Sequence, residues 1–169
     1  MSESNIPNLV NSNISKSNEY KRQYNNCFQN QILYIKELLK NRVSKTGREA
    51  HFHSFEIYLM FLLSEIYLKQ SFLRLPNAFS SFSDISLFFK KTYKHNLHLL
   101  LEDCDIDSVV ENRKRDYYRY LRNQIESNNY ENNINQYCDL RYGTSLGGAS
   151  KYNSLSINME EMYEYIRRI

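Results

Sequence analysis

The residues best suited to chemistry form a series of arginines between positions 111 and 129. Arg115, Arg119 and Arg122 are separated by four and three positions, so a helix would place all three guanidinium groups on one face. Guanidinium groups bind phosphate and carboxylate oxygens through paired N–H donors. The apolar residues recur on roughly the opposite face and are predicted to pack inward: Val110, Tyr117, Leu121 and Ile125. The segment therefore predicts a surface helix whose cationic face meets an anionic partner.

Tyrosine and amide side chains lie among these arginines. Tyrosine rings could stack on unpaired bases while guanidinium groups hold phosphates, as RNA recognition often requires. We predict a nucleic-acid contact made by Arg115, Arg119, Arg122, Asn123 and Tyr118. Two alternatives stay open: the tyrosines could pack in the core or against a partner subunit, and the arginines could form solvated pairs with Asp116 and Glu126.

Two histidines form a second group with chemical potential. His95 and His98 are three positions apart, the spacing of a two-histidine metal site, and Glu102 and Asp103 are close by. A third ligand would have to come from elsewhere, and histidines satisfied by backbone groups are common. The glycine-rich stretch 143–151 lacks P-loop spacing and is interpreted as a connector, with closure over a ligand phosphate as the alternative. We predict no metal and no other cofactor.

Composition limits the class of protein. The chain has 169 residues, which fits one domain, and its net charge of +3 means that attraction to nucleic acid must come from local clustering. The apolar run 57–63 is bracketed by Glu56, Glu65 and Lys69, which favours a buried helix over a membrane span. The amino-terminal residues do not resemble a secretory signal. We expect a cytoplasmic protein that does not enter a membrane.

The periodicity of apolar residues predicts an all-α fold, a single-domain bundle of about five or six helices. Residues 1–18 are rich in Ser and Asn and are predicted to form a flexible tail, followed by a helical domain over 19–169. The second helix is predicted to be the longest and the most buried. The third helix is predicted to be capped by Ser83 or Asp84 and to be broken near His95. The predicted helices are 19–43, 48–73, 85–104, 108–127, 134–142 and 157–169.

Three stretches occur in an order that resembles the HEPN superfamily, small helical domains named for their occurrence in higher eukaryotes and prokaryotes. SEIYLKQSFL at 64–73 resembles the end of the family's central helix, KHNLHLLLED at 94–103 its His-Asn/Asp-Leu stretch, and LRYGTS at 140–145 its Arg-Tyr-small signature. The resemblance covers roughly residues 50–169. It implies a helical fold and a homodimer, because the family usually builds its cleft between two copies.

Catalytic members of this family are metal-independent ribonucleases whose signature is an Arg followed, after four to six residues, by a His. LRNQIES at 121–127 resembles that motif except that Ser127 stands where the His would fall. Serine cannot exchange protons near neutral pH as imidazole does. The spacing occurs at Arg48 and His53, at the start of the second predicted helix, so these two residues are the candidate catalytic pair. The alternative is that they are ordinary polar residues at a helix start.

Three functions therefore stay open. The preferred one is a HEPN-like protein that associates with RNA or a nucleotide in a microbial defence or toxin–antitoxin system, catalytically weak or inactive. The second is an active metal-independent endoribonuclease. In the third, the chain is a protein-binding helical module, such as an inhibitor or a complex subunit.

Overall fold

The computed structural model describes residues 6–43, 54–127, 137–138 and 157–169, and within these ranges the chain is all-α with no strand. A π-helix, Phe89–Tyr93, and a short 3-10 helix, Ile106–Ser108, lie between α-helices. The α-helices of the described ranges are α1 (Ile6–Val43), α2 (Ser54–Phe72), α3 (Phe82–Phe88), α4 (Leu97–Asp103), α5 (Asn112–Ser127) and α6 (Met159–Arg168). The predicted all-α bundle is confirmed.

Helix α1 ends at Val43 as predicted but begins at Ile6, well before the predicted start at residue 19. A helix that is already nucleated gains one backbone hydrogen bond for each residue it adds, so polar residues can extend it without burying apolar area. The Ser17 side chain is buried, and its hydroxyl accepts the Phe79 N–H at 2.9 Å. This contact ties the early part of α1 to the loop before α3.

Helix α2 runs through the core and packs against α1, α4 and α6. Apolar side chains surround it on nearly every face, which is the pattern of a helix buried on all sides. Its fully buried residues include Met60, Phe61, Leu63 and Leu68. The prediction that it is the most buried helix is confirmed, but α1 is longer than α2. In the part of the chain that the structure describes, no helix is long and apolar enough to cross a bilayer.

The segment after α2 changes its helical geometry twice. Ser81 caps α3, because its hydroxyl accepts the Asp84 N–H at 3.1 Å. The prediction of Ser83 or Asp84 as the cap is therefore wrong, and the cap lies two or three residues earlier. Helix α3 passes directly into the π-helix, and the chain turns at Lys94 and His95 before α4 begins. The predicted break near His95 is therefore confirmed.

Helices α5 and α6 close the bundle through their aromatic residues. The rings of Tyr120 and Tyr165 stack with centroids 4.7 Å apart, and Tyr117 lies beside both. Tyr117, Leu121 and Ile125 are buried as predicted. Val110 was predicted to pack with them, but it precedes α5, which begins at Asn112, and 75% of its surface is exposed.

Candidate functional site

Two of the three arginines predicted to contact nucleic acid, Arg115 and Arg122, instead donate to backbone carbonyl groups of the protein. Arg115 donates from Nε and Nη2 to the carbonyl oxygen of Val109, at 3.1 and 2.7 Å. Arg122 donates from Nη2 to the carbonyl of Leu101 and, at 3.3 Å, to that of Cys104. The last carbonyls of a helix lack partners within it, and Arg122 supplies one at the end of α4. Both arginines therefore fasten the connection between α4 and α5.

Arg119 and Asn123 are the members of the predicted contact that remain at the surface. Arg119 forms an ion pair with Asp107, with Nη2 2.5 Å from Oδ1, and both side chains are largely exposed. Asn123 is also exposed. The partners of the arginines are thus Asp107 and backbone carbonyls, rather than the Asp116 and Glu126 considered from the sequence.

Tyr118 does not offer a ring to a nucleic acid. The residue has 0% exposure, and its hydroxyl lies 3.4 Å from the Ser71 Oγ on α2. The neighbouring Tyr117 is equally buried and shares a 2.5 Å hydrogen bond with Ser64. Base stacking needs an accessible ring face. The prediction that Tyr118 contacts bases is therefore corrected, because the ring is part of the core.

Some predicted residues lie outside the described part of the chain. These are Arg48 and His53, the candidate catalytic pair, and the glycine-rich stretch 143–151. Ser127, which stands in place of the motif's histidine, is the last residue of α5 and is exposed. The catalytic assignment of Arg48 and His53 stays a prediction.

A cluster that the sequence had not singled out surrounds the buried carboxylate of Glu65, which is 2% exposed. Lys69, one turn further along α2, binds Oε1 through its ammonium group. His95 approaches Oε2 with its Nδ1 at 3.2 Å, and the Tyr137 hydroxyl donates to the same oxygen. We call Glu65, Lys69, His95 and Tyr137 the Glu65 cluster. Two of the three stretches that resemble the HEPN superfamily, 64–73 and 94–103, therefore meet at this carboxylate.

The electrostatics of the Glu65 cluster keep its carboxylate charged. Burial acts to raise the pKa of Glu65, but the hydrogen bond from His95 and the charge of Lys69 outweigh it, and the pKa lies below its ordinary value. The hydrogen bond to Glu65 raises the pKa of His95, against a smaller opposing effect of burial. Burial and the Glu65 charge raise the pKa of Tyr137, which stays a neutral donor. His95 is therefore held toward its cationic form.

The backbone that carries His95 has an unusual conformation. It follows the π-helix Phe89–Tyr93, and Lys94 has a φ of 51°, which is uncommon for a residue with a Cβ. The Lys94 N–H donates to the Phe89 carbonyl at 2.9 Å, and its own carbonyl accepts from Lys69 Nζ at 3.4 Å. Asn96 then caps α4 by accepting the Leu99 N–H at 2.9 Å. These contacts hold His95 over Glu65.

Three exposed lysines lie close to His95 in the sequence, two on the π-helix and one directly before His95. Lys90, Lys91 and Lys94 point to solvent, and none of them pairs with a carboxylate among the described residues. The His95 side chain is itself 57% exposed. We call Lys90, Lys91, Lys94 and His95 the basic turn. Its sequence signal was the cation-rich stretch KKTYKH, which helical periodicity does not single out because the helix changes type there.

His95 and His98 do not form the two-histidine metal site that was the alternative interpretation of their spacing. His98 Nε2 lies 3.3 Å from Glu102 Oε1, whereas His95 turns to Glu65. Across the described ranges, no group of three or more His, Cys, Asp or Glu is placed to hold a metal ion. The basic turn can bind anions instead: ammonium groups attract phosphate as point charges, and a histidine held through Nδ1 can present Nε2 to a phosphate oxygen.

Comparisons of this chain with family models, curated proteins and solved structures found no match. The resemblance to the HEPN superfamily therefore stays a prediction from the sequence.

Proposed function

We propose that this chain is a HEPN-like RNA-associated protein of a microbial defence or toxin–antitoxin system, catalytically weak or inactive, which binds RNA phosphates through the basic turn. The observation that supports this proposal is the group of three solvent-facing lysines without carboxylate partners beside a histidine fixed by Glu65. The predicted arginines of α5, which suggested the same partner, contribute less to the proposed surface because Arg115 and Arg122 hold carbonyl groups.

Single-stranded RNA suits this surface better than a duplex does. The basic turn is short and projects compact charges, which fits the irregular phosphate path of an unpaired strand and does not require a groove. The attraction is electrostatic, so it should weaken steeply with salt as counterions are displaced from the RNA. Because the net charge of the chain is only +3, this local cluster dominates the attraction.

The charge state of His95 supports binding more than catalysis. A general base must be unprotonated to accept a proton, and the hydrogen bond to Glu65 raises the pKa of His95, which shifts the ring toward imidazolium. In its imidazolium form the His95 ring would add a fourth cation to the basic turn and could donate a hydrogen bond to phosphate. With Ser127 in place of the motif's histidine, this accounts for the proposed weak or absent ribonuclease activity.

The test compares two doubly substituted proteins that lose the same charge. Lys90→Ala/Lys91→Ala removes half of the basic turn, and Lys16→Ala/Lys40→Ala removes two exposed lysines of α1. Fluorescence anisotropy with a labelled single-stranded RNA gives the slope of log K against log salt. The slope should become shallower by about 1.4 in the first protein, since each phosphate contact contributes about 0.7. The control should keep the slope of the unsubstituted protein.

Equal slopes for the two substituted proteins would contradict the proposal, because the basic turn would then act only through total charge. A protein that binds no RNA at low salt, but is recovered from cells with a stable protein partner, would favour the protein-binding alternative. Incubation with total RNA in the absence of metal tests the ribonuclease alternative, and intact RNA at high protein concentration is the expected result.

A further inference from the structure

His95 is the residue of the basic turn whose charge can change near neutral pH. Lysine ammonium groups are charged throughout the neutral range, whereas histidine is the side chain that gains or loses its charge between about pH 5 and about pH 8. The His95 side chain is more than half exposed, so water and ligands reach the ring. The number of positive charges on the basic turn therefore depends on the protonation of one ring.

The Glu65 carboxylate determines which ring nitrogen of His95 exchanges a proton. Nδ1 lies 3.2 Å from Oε2 of Glu65, and an ionised carboxylate only accepts hydrogen bonds, so the proton on Nδ1 stays in place. The proton that exchanges is therefore the one on Nε2. In imidazolium, Nε2 can donate to a phosphate oxygen, but in neutral imidazole its lone pair would meet that oxygen as a second acceptor. Loss of this proton removes both a charge and a hydrogen bond.

Charged and titratable groups near the ring belong to α2, to the segment 137–138, to α4 and to the basic turn itself. These groups are Glu65, Lys69, Tyr137, His98, Glu102 and the three lysines of the basic turn. The hydrogen bond to Glu65 raises the pKa of His95, burial and the charge of Lys69 oppose this effect, and the net change is a rise. A phosphate at Nε2 would add a negative charge that favours imidazolium further. Proton uptake and phosphate binding therefore favour each other.

We propose that RNA binding at the basic turn is regulated by protonation of His95, tight when the ring is imidazolium and weaker when the ring is neutral. This inference rests on the proposed function and adds its regulation. One phosphate contact changes log K by about 0.7 for each tenfold change in salt, which between about 1 M and about 50 mM amounts to about eightfold. Neutralising the ring should therefore weaken RNA binding by about eightfold at about 50 mM salt and make the salt slope shallower by about 0.7.

Fluorescence anisotropy with one labelled single-stranded RNA, at fixed ionic strength and at pH values from about 5.5 to about 8.5, tests the proposal. The unsubstituted protein should lose about eightfold in affinity as the pH rises across this range. An affinity that does not change with pH would overturn the proposal and leave RNA binding at the basic turn intact. Absence of RNA binding at the lowest pH and at low salt would overturn the proposed function as well, so the two failures can be told apart.

Substitutions of two histidines assign the effect to one ring. His95→Gln keeps a donor for Glu65 but cannot become charged, so at every pH it should bind RNA with the weaker affinity that the unsubstituted protein has at high pH. His95→Lys stays charged and should keep the tighter affinity throughout. The matched control His98→Gln, on α4, should retain the full pH dependence. A pH dependence that persists in His95→Gln, or that is lost in His98→Gln, would overturn the proposal.

Discussion

The cationic face of α5 and the basic turn carry the same kind of charge but use it differently. On α5, Arg115 and Arg122 direct their guanidinium groups to carbonyl oxygens of the preceding connection. On the basic turn, the charged groups point to solvent while a buried carboxylate, Glu65, holds the turn from below. Regular spacing of cations along a helix therefore does not distinguish cations that face solvent from cations that complete the fold.

Substitution of Glu65 should have the largest effect. Glu65→Ala removes the acceptor shared by Lys69, His95 and Tyr137, and it leaves the Lys69 charge, only 12% exposed, without a counterion. Breaking a buried ion pair in this way should lower the free energy of unfolding by about 3–5 kcal/mol. Urea denaturation measures this loss of unfolding free energy. Glu102→Ala, which removes an exposed carboxylate paired with His98, should cost less than about 1 kcal/mol.

Similar losses in these two proteins would mean that Glu65 does not support the basic turn. The comparison between the two regions would then lose its structural basis.

Substitution of Arg122 should have the next largest effect. Arg122→Ala leaves the carbonyl groups of Leu101 and Cys104 without their charged donor. The free energy of unfolding should fall by about 1.5–3 kcal/mol, the usual contribution of hydrogen bonds to charged groups. The adjacent exposed substitution Asn123→Ala should change it by less than about 0.5 kcal/mol. If Arg122→Ala instead weakened RNA binding and left stability unchanged, α5 would regain its role as the contact surface.

The contact between Glu65 and His95 should make stability depend on pH. The raised pKa of His95 contributes stability that is complete below its ordinary value of 6.5 and is lost as the pH rises through the raised value. The lowered pKa of Glu65 contributes stability that is complete above 4.5 and is lost as the pH falls through the lowered value. The contribution of the pair is therefore greatest between these two pH values.

Above that window the loss should be less than about 1 kcal/mol, because the half-exposed His95 ring is screened by solvent. Urea denaturation at a series of pH values, compared between the unsubstituted protein and His95→Gln, isolates the effect of this ring from the other histidines. A pH dependence that is unchanged in His95→Gln would show that the pair does not titrate with folding.

Substitution of Arg119 should have the smallest effect. Its ion pair with Asp107 is exposed on both sides, so the coupling energy from a double-mutant cycle of Arg119→Ala and Asp107→Ala should be about 0–1 kcal/mol. The salt slope of RNA binding should stay that of the unsubstituted protein. A slope reduced as much by Arg119→Ala as by substitution of a basic-turn lysine would extend the RNA surface onto α5.

The α-helical class and the buried face of α5 could be predicted because they follow from local periodicity. Tyr117, Leu121 and Ile125 recur at helical spacing and are buried. Tyr118 was misassigned because the pattern does not show how wide the buried face is, and a helix packed on more than one side buries residues next to its apolar stripe. The early start of α1 was missed because polar residues can extend an established helix.

The Glu65 cluster could not be predicted because its members are distant in the chain. Glu65, His95 and Tyr137 meet only when α2, the turn after the π-helix and the short segment 137–138 pack together.

The sequence by itself determined the helices, their apolar faces and the number of cations, because these depend on residue type and on spacing within a few turns. Tertiary structure decided which cations face solvent, because a guanidinium group binds whichever acceptor packing brings within reach, and for Arg115 and Arg122 this was a carbonyl of the chain itself.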